Sequence, residues 1–449
     1  MRVFIDGWAW LDLNDLQADH VPLLRNRLTI KRRKLGDHPG PTPAPIQLYR
    51  ETGTHFGVPR EYFLGNQSRG HDVTYGLTDG AQWPGDVRFH GELINDQPDA
   101  AKAVLDHFQA GKLGGIVQAP TAFGKTVLAA YLIAQLQRPT LVLVHKEFLL
   151  SQWKERLAQF LPDAKVGILQ ADKRELDGSH VCIAMLQTLA ERGVDEKLSV
   201  WPGLVIADEV HRISAETWSP VAPCFPARHR LGLSATPRRR DGGDDVFLHH
   251  IGPIVYRGTA LRLGFQVKRV WTDFRVRDAE GTSVAGKNLL LRFLCASKSR
   301  NSRVAEQVAG AVDAGRKVLV LSERVPHCSE LQSVFQSIAK KRLGTVPPSL
   351  VYTGKVAKEM KDAERGAAFD QARVLFATAQ LVSEGFDYPP LDTLCLATPI
   401  WDAEQAVGRI LRPYPSKKDP IVIDIRDDNV PMFKRAGLNR EKLYTRLQA

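Results

Sequence analysis

A chain of 449 residues exceeds one ordinary hydrophobic core and should divide into two or three domains. An apolar fraction of 43% with 25% charged residues excludes a disordered or fibrous polypeptide. The net charge of +11 suits a polyanionic partner, because Lys and Arg displace counterions from phosphates, and it suits a merely basic soluble protein equally well.

The opening MRVFIDGWAW has an Asp within its apolar stretch and no cationic start, so it is a poor secretory signal. Up to about Arg88 the chain is rich in turn formers, as in GDHPGPTPAPIQ (Gly36–Gln47), with short strand-like pieces such as IQLYRE. These suggest a small β-rich or α+β module over residues 1–88. It carries the basic cluster Arg25, Arg27, Lys31, Arg32, Arg33 and Lys34, which reads either as a phosphate-gripping patch or as a solvated charge run.

From about Phe89, short apolar strands alternate with helical segments. Gly115–Gln118, Leu141–Val144, Val181–Ala184, Leu204–Ala207 and Leu231–Leu233 read as buried strands, with an amphipathic helix over Thr126–Leu136. A second series follows at Val318–Leu321, Leu350–Tyr352, Val374–Ala377, Thr393–Ala397 and Ile421–Ile425. This is the α/β alternation of two parallel-sheet domains in tandem, over residues 89–258 and 259–449, with a linker within Gly252–Gly264 and an inserted hairpin or arm over 276–298. The five cysteines (Cys182, Cys224, Cys295, Cys328, Cys395) are far apart and form no CxxC, so neither a zinc site nor a disulfide framework is expected, and a reducing cytoplasm fits. No run approaches the roughly 18 apolar residues that span a bilayer, so no membrane partner is expected.

The segment QAPTAFGKT (Gln118–Thr126) lies between an apolar strand and a helix, the context of a P-loop. Backbone N–H groups of Thr121, Ala122, Phe123 and Gly124 would cradle phosphate oxygens, Lys125 would neutralise the β- and γ-phosphates, and the Thr126 hydroxyl would ligate Mg²⁺. Ala119 stands where the generic motif has its first glycine, and Ala122 adds a methyl inside the loop. Downstream, VIADEVH (Val205–His211) ends an apolar strand on two adjacent carboxylates, which are costly to bury without a cation. Asp208 would hold Mg²⁺ and Glu209 would activate the attacking water. ATP and Mg²⁺ are the cofactors these residues imply.

With those residues in place, the chain resembles the superfamily 2 DExH-box helicases and translocases. Asp208–Glu209–Val210–His211 matches the DExH box. Ser234–Ala235–Thr236 matches the motif that couples hydrolysis to nucleic-acid grip, as does His211. Gln405, Gly408, Arg409 and Arg412 match QxxGRxxR, and Gly385 and Asp387 match the motif near the ribose and bound strand. Gln97 matches the adenine-reading glutamine, although Asp96 replaces the aromatic residue common before it, and Phe89 is the alternative stacking candidate. The resemblance implies two RecA-like domains and makes Gln405, Arg409 and Arg412 an arginine-finger element that stabilises transition-state charge when the domains close.

In this family the residues following the strands hold the phosphodiester backbone. The matching positions are His145, Lys146, Gln152, Gln187 and Thr188 in the first domain, and Ser322, Arg324, Thr353 and Lys355 in the second. Each also reads as an ordinary loop residue, and Trp153 reads as core. Arg238–Arg240 either touch phosphates or face solvent. IGPIVYRG after the SATP motif, the short N-terminal module and the brief C-terminus resemble the XPB-like and UvsW-like helicases of phage-type recombination and repair. That resemblance implies an ATP-dependent DNA helicase or translocase, a monomer or weak oligomer, acting on forked or branched duplexes by unwinding, fork regression or branch migration. The alternatives are an RNA helicase, and a duplex translocase of a restriction or remodelling complex that does not separate strands.

Overall fold

A computed structural model describes residues 1–31, 44–66, 70–120, 123–210, 215–235, 244–258, 264–276, 286–360, 362–383, 386 and 388–448. The chain forms two compact units, Met1–Ala260 and Leu261–Ala449. Among the described residues no helix is long and apolar enough to cross a membrane.

The first unit is built on an eight-stranded sheet. Its spatial order is Lys173–Arg174, Val166–Gln170, Val181–Met185, Thr140–Val144, Leu204–Asp208, His229–Ser234, Gly114–Gln118 and Ile254–Arg257. All neighbours are parallel except the short outer pair Lys173–Arg174 and Val166–Gln170. Successive side chains of a strand point to opposite faces. Val142 and Val144 therefore pack with Ala101, Val104, Leu128 and Leu132 of two helices, while Leu141 and Leu143 enter a different core.

That second core is shared with the N-terminal module. A five-stranded sheet runs Arg50–Glu51, His55–Pro59, Trp8–Asp12, Arg2–Ile5 and Asp72–Tyr75, antiparallel except for its last pair. Its Val3, Ile5, Phe56 and Val58 join one buried cluster with Leu141, Leu143 and Val205. The junction is also polar. Arg230 donates to the carbonyls of Gly7 (3.1 Å), Phe225 (2.9 Å) and His250 (2.8 Å). Arg60 donates to Ala227 O at 2.8 Å and pairs with Glu61 at 3.1 Å. Gly7 is needed here, because a Cβ would fall 1.7 Å from Pro223 O. Burial pushes the Glu61 carboxyl up and the Arg230 guanidinium well down, as expected for charges withdrawn from water.

The second unit holds a six-stranded, all-parallel sheet in the order Gln266–Trp271, Ile421–Arg426, Thr393–Leu396, Val318–Ser322, Val374–Thr378 and Ser349–Tyr352. Helices Lys298–Asp313 and Val325–Leu343 cover one face, where Val304, Val308 and Phe335 meet Val318 and Val320.

Every strand expected from an apolar run is present within a residue or two. The two motor sheets also hold strands that the apolar runs do not announce. Ile254–Arg257 lies inside the stretch assigned to a linker, yet it pairs with the strand leading into the P-loop. Gln266–Trp271 edges its sheet and is mostly exposed, with only Val270 buried, which masks it in sequence. Val166–Gln170 is interrupted by Gly167, where a Cβ would sit 1.8 Å from Glu175 O. The described part of the expected arm contains a helix, Lys287–Ala296, packed through Leu290, Leu291 and Leu294 against Val430 and Phe433. A hairpin is not formed by these residues.

Replacing Arg60 with Met leaves Glu61 buried without its nearest cation. Loss of one partner of a buried pair costs about 3–5 kcal/mol. We expect a lower denaturation midpoint, with the N-terminal sheet and the motor sheet unfolding together because they share one core. Separate transitions, followed by hydrogen exchange at the two sheets, would contradict that coupling.

Candidate ATP site

The P-loop strand Gly114–Gln118 delivers the chain to the C-terminal edge of its sheet, beside His229–Ser234 in parallel register with Gln118 opposite Ser234. Ala119 donates its N–H to Ser234 O at 2.8 Å, so the SAT serine is tied by backbone to the root of the loop. Ala119 is fully buried. Thr121 and Ala122 lie outside the described residues.

Gly124 turns the loop into helix Lys125–Leu136 with φ of 81°, a left-handed conformation that glycine adopts without a Cβ clash. A second reason for glycine is contact: a Cβ would lie 2.3 Å from Gln97 Nε2. Gln97 starts its own helix, Gln97–Gln109, and spans two segments. Its Nε2 donates to Phe123 O at 2.7 Å, and its Oε1 accepts from Ile94 N–H at 2.9 Å. The structure thus brings Gln97, Phe123, Gly124, Lys125 and Thr126 together. Phe89 does not join them. It stacks on Phe160 at 5.6 Å and meets Tyr131 edge-on at 5.4 Å, so it is a packing residue rather than a base platform. The aromatic ring beside Phe123 is Tyr256, at 6.4 Å.

Lys125 Nζ donates to Ala119 O at 3.1 Å and lies 3.7 Å from Glu209 Oε1. This places the P-loop lysine and the DExH glutamate on one site. Glu209 has φ of 50°, left-handed for a non-glycine residue, a conformation that surrounding structure must hold in place. Asp208 ends strand Leu204–Asp208 and is buried, with Oδ2 accepting from the Trp153 indole N–H at 2.8 Å. Burial, and then the neighbouring Glu209 charge, push the Asp208 carboxyl up to about 6, opposed by the indole N–H and by Lys125.

Two adjacent carboxylates, one of them proton-rich from burial and like charge, form a donor set that a divalent cation relieves. Magnesium needs only one or two carboxylates when phosphate oxygens and water complete its shell. The residues therefore fit Mg²⁺ at Asp208, with the Thr126 hydroxyl at the start of the helix after the loop. The absence of any cluster of three His, Cys, Asp or Glu among the described residues is compatible with such a site.

Trp153 is fully buried, as its sequence setting predicts, and it also donates to the Asp208 carboxylate. Its partner lies 55 residues away, so no local signal reports it. His211 and Thr236 lie outside the described residues, as do Gly385, Asp387, Arg32, Arg33, Lys34 and Arg238–Arg240.

Of the expected strand-contact residues in this unit, Gln187 donates to His145 O at 2.9 Å, and Thr188 and Lys146 flank that pair. Gln152 is half-buried on helix Glu147–Phe160. In the second unit Ser322 is buried, with its hydroxyl bonded to His327 Nδ1 at 2.9 Å and accepting from Arg324 N–H at 3.1 Å. It supports the loop from inside instead of offering a donor to a strand. Thr353 is likewise buried, whereas Lys355 is exposed. Gln405 and Arg409 lie on helix Glu404–Ile410, and Arg412 lies two residues beyond it, where its carbonyl accepts from Lys417 Nζ at 2.8 Å.

Asp208 binds its proton more tightly in the folded chain than at the unfolded reference of about 3.9. The native state therefore holds the extra proton between about pH 4 and 6, and stability falls as pH rises through that window. We expect Asp208→Asn to raise the thermal midpoint of the nucleotide-free protein at pH 7 by a few degrees while abolishing ATPase activity. An unchanged or lowered midpoint would contradict the raised carboxyl. Trp153→Phe removes a donor that favours the ionised form, so the acidic limb of the ATPase pH profile should move to higher pH. A uniformly reduced rate with an unmoved limb would assign Trp153 to packing alone.

Residues 90–239 match the family described as type III restriction enzyme, res subunit. A protein of Acanthamoeba polyphaga mimivirus, provisionally named ATP-dependent RNA helicase L396, is 26% identical over 88% of this chain and 76% of its own length. The DNA 3'-5' translocase XPB2 of Sulfurisphaera tokodaii is 34% identical over 51% of the chain and 50% of its own length, so this chain spans about half of that relative. A solved fragment of a Vibrio vulnificus YJ016 protein, provisionally named an HsdR subunit of a type I restriction enzyme, superposes with a TM-score of 0.56 at 16% identity, covering 80% of this chain and 68% of that one. The last likeness concerns the fold alone. With the P-loop lysine, the two DExH carboxylates and the SAT serine assembled on one sheet edge, the chain is similar to the superfamily 2 helicases and translocases that its motifs resemble.

Proposed function

We propose that this protein is an ATP-driven motor on double-stranded DNA that acts at forks or branches, by unwinding, fork regression or branch migration. The observation that carries the motor reading is the convergence of Lys125 and Glu209, 3.7 Å apart, on a loop tied to Ser234 and Gln97. A site in which the coupling serine shares a backbone hydrogen bond with the P-loop is suited to pass the state of the nucleotide on to a bound strand. The DNA reading is supported by the net charge of +11 and by the Sulfurisphaera tokodaii relative that is named a DNA translocase.

In this reading Gln97 and Gly124 hold the base and phosphates, and Lys125 neutralises the β- and γ-phosphoryl oxygens. Glu209 takes the proton of the attacking water. A bound Mg²⁺, held by Thr126 and Asp208, would supply further positive charge at the phosphates. Gln405, Arg409 and Arg412 stabilise the charge that develops on the transferred phosphoryl group, and Gly385 and Asp387 approach the ribose. Ser234, Thr236 and His211 couple hydrolysis to grip. His145, Lys146, Gln152, Gln187, Thr188, Arg324 and Lys355 take backbone phosphates, which fix position without reading sequence. Ser322 and Thr353 shape the loops that present them. Arg25, Arg27 and Lys31 add contacts from the N-terminal module.

Two further readings have particular support. The mimivirus relative is named as an RNA helicase, and the restriction-enzyme likenesses suit a duplex translocase that does not separate strands.

ATPase activity compared side by side on duplex, single-stranded, forked and four-way DNA and on structured RNA separates these readings. We expect the strongest stimulation by forked or four-way DNA, and a loss of about 10³-fold or more in Arg409→Ala, the scale of an arginine finger. Equal stimulation by RNA would favour the RNA reading. Triplex displacement without fork unwinding would favour the translocase. Full activity in Lys125→Ala would overturn the ATP site itself.

A further inference from the structure

The segment that carries Gln405, Arg409 and Arg412 is entered by a loop, residues 397–403, between strand Thr393–Leu396 and helix Glu404–Ile410. Its first half is held by backbone bonds, Ala397 N–H to Leu321 O at 2.9 Å and Ile400 N–H to Thr398 O at 2.8 Å. The Thr398 hydroxyl accepts from Glu323 N–H at 3.0 Å. Two carbonyls of this loop are taken by guanidinium groups from elsewhere. Arg300, on helix Lys298–Asp313, donates from Nη2 to Ala397 O at 2.8 Å. Arg440, on helix Pro431–Gln448, donates from Nη1 to Ile400 O at 2.8 Å.

Both cations are inside the protein, at 2% and 1% exposure, and each is neutralised by its own aspartate. Arg300 meets Asp427 through two parallel bonds of 2.8 Å, and Arg440 meets Asp424 at 2.9 and 2.7 Å. Asp424 lies within the neighbouring strand Ile421–Arg426 and Asp427 directly follows it. Buried ion pairs are a poor means of stabilising a core, since apolar residues of similar volume often serve at least as well. An apolar residue cannot hold a carbonyl. The planar, five-donor guanidinium can satisfy an aspartate and a carbonyl at once, and lysine cannot reproduce that fork.

We propose that Arg300 and Arg440 are positioning residues for hydrolysis. They lock the loop at Ala397 and Ile400 and so fix where helix Glu404–Ile410 presents Gln405 and Arg409, and where Arg412 follows. Neither residue lies in any of the sequence motifs. The proposal rests on the reading that Arg409 serves ATP hydrolysis.

The test uses the full chain, with forked duplex DNA as activator, and the variants Arg300→Lys, Arg440→Lys and Arg409→Ala. The lysine variants keep a positive charge against each aspartate and lose the bond to the loop carbonyl. We expect each to lower the DNA-stimulated kcat by about 10- to 100-fold, the scale of a small misplacement at a reacting centre. KM for ATP and the affinity for a fluorescent ATP analogue should stay within about twofold, because the lost interaction acts in the transition state. The double variant Arg440→Lys with Arg409→Ala should be no slower than Arg409→Ala alone. A general loss of folded protein would instead multiply with Arg409→Ala, and that result would overturn the proposal. Wild-type kcat in both lysine variants would also overturn it while leaving the arginine-finger reading intact. Wild-type kcat in Arg409→Ala would overturn that reading and this proposal together.

Discussion

The first unit depends on a pair of adjacent carboxylates placed at the end of a buried strand. Asp208 is out of water, bonded to the Trp153 indole, and crowded by Glu209. Lys125 is a cation within reach of that pair, 3.7 Å from Glu209. A site arranged in this way stores unfavourable electrostatics that a divalent cation and a triphosphate relieve. The glutamine bonds to Phe123 O and the coupling serine to Ala119 N–H, so both attach to the loop that carries Lys125.

The rest of the unit keeps those elements in register. Parallel pairing sets Ser234 against Gln118, and Gly124 leaves the space that the Gln97 amide occupies. The N-terminal sheet shares its core with the motor sheet and is cross-linked to it by Arg60 and Arg230. Interactions of this kind transmit force as one body, because a packed core resists continuous deformation. In the second unit the same principle is applied at a smaller scale, with two guanidinium groups gripping the loop that leads into helix Glu404–Ile410.

What the sequence disclosed follows the range of the interactions. Lys125, Asp208 and Glu209 stand in short motifs framed by apolar strands, and central strands such as Leu204–Asp208 are continuous apolar runs, so both were readable. Two edge strands were not: Gln266–Trp271 has one strand neighbour and is mostly exposed, and Ile254–Arg257 sits in a Gly- and Pro-containing stretch that looks like a linker. Roles that depend on distant partners were also hidden. The Trp153 indole meets a carboxylate 55 residues away, and Arg300 meets Asp427 across 127 residues. Phe89 is a stacking candidate in sequence because an aromatic residue is missing before Gln97, and its ring partners, Phe160 and Tyr131, come from two different helices. Ser322 looked like a loop donor, but its hydroxyl serves His327 and the start of the following helix.

Burial and the Glu209 charge raise the Asp208 carboxyl to about 6, so a cation and nucleotide bound there should displace a proton. Calorimetric titration with Mg²⁺ and a non-hydrolysable ATP analogue, in buffers of different ionisation enthalpy, counts the protons exchanged. At pH 6, with the carboxyl at about 6, wild-type protein should release about half a proton more than Asp208→Asn on binding. At pH 8 that difference should vanish. Equal proton release by the two proteins at pH 6 would show that Asp208 is ionised before the cation binds.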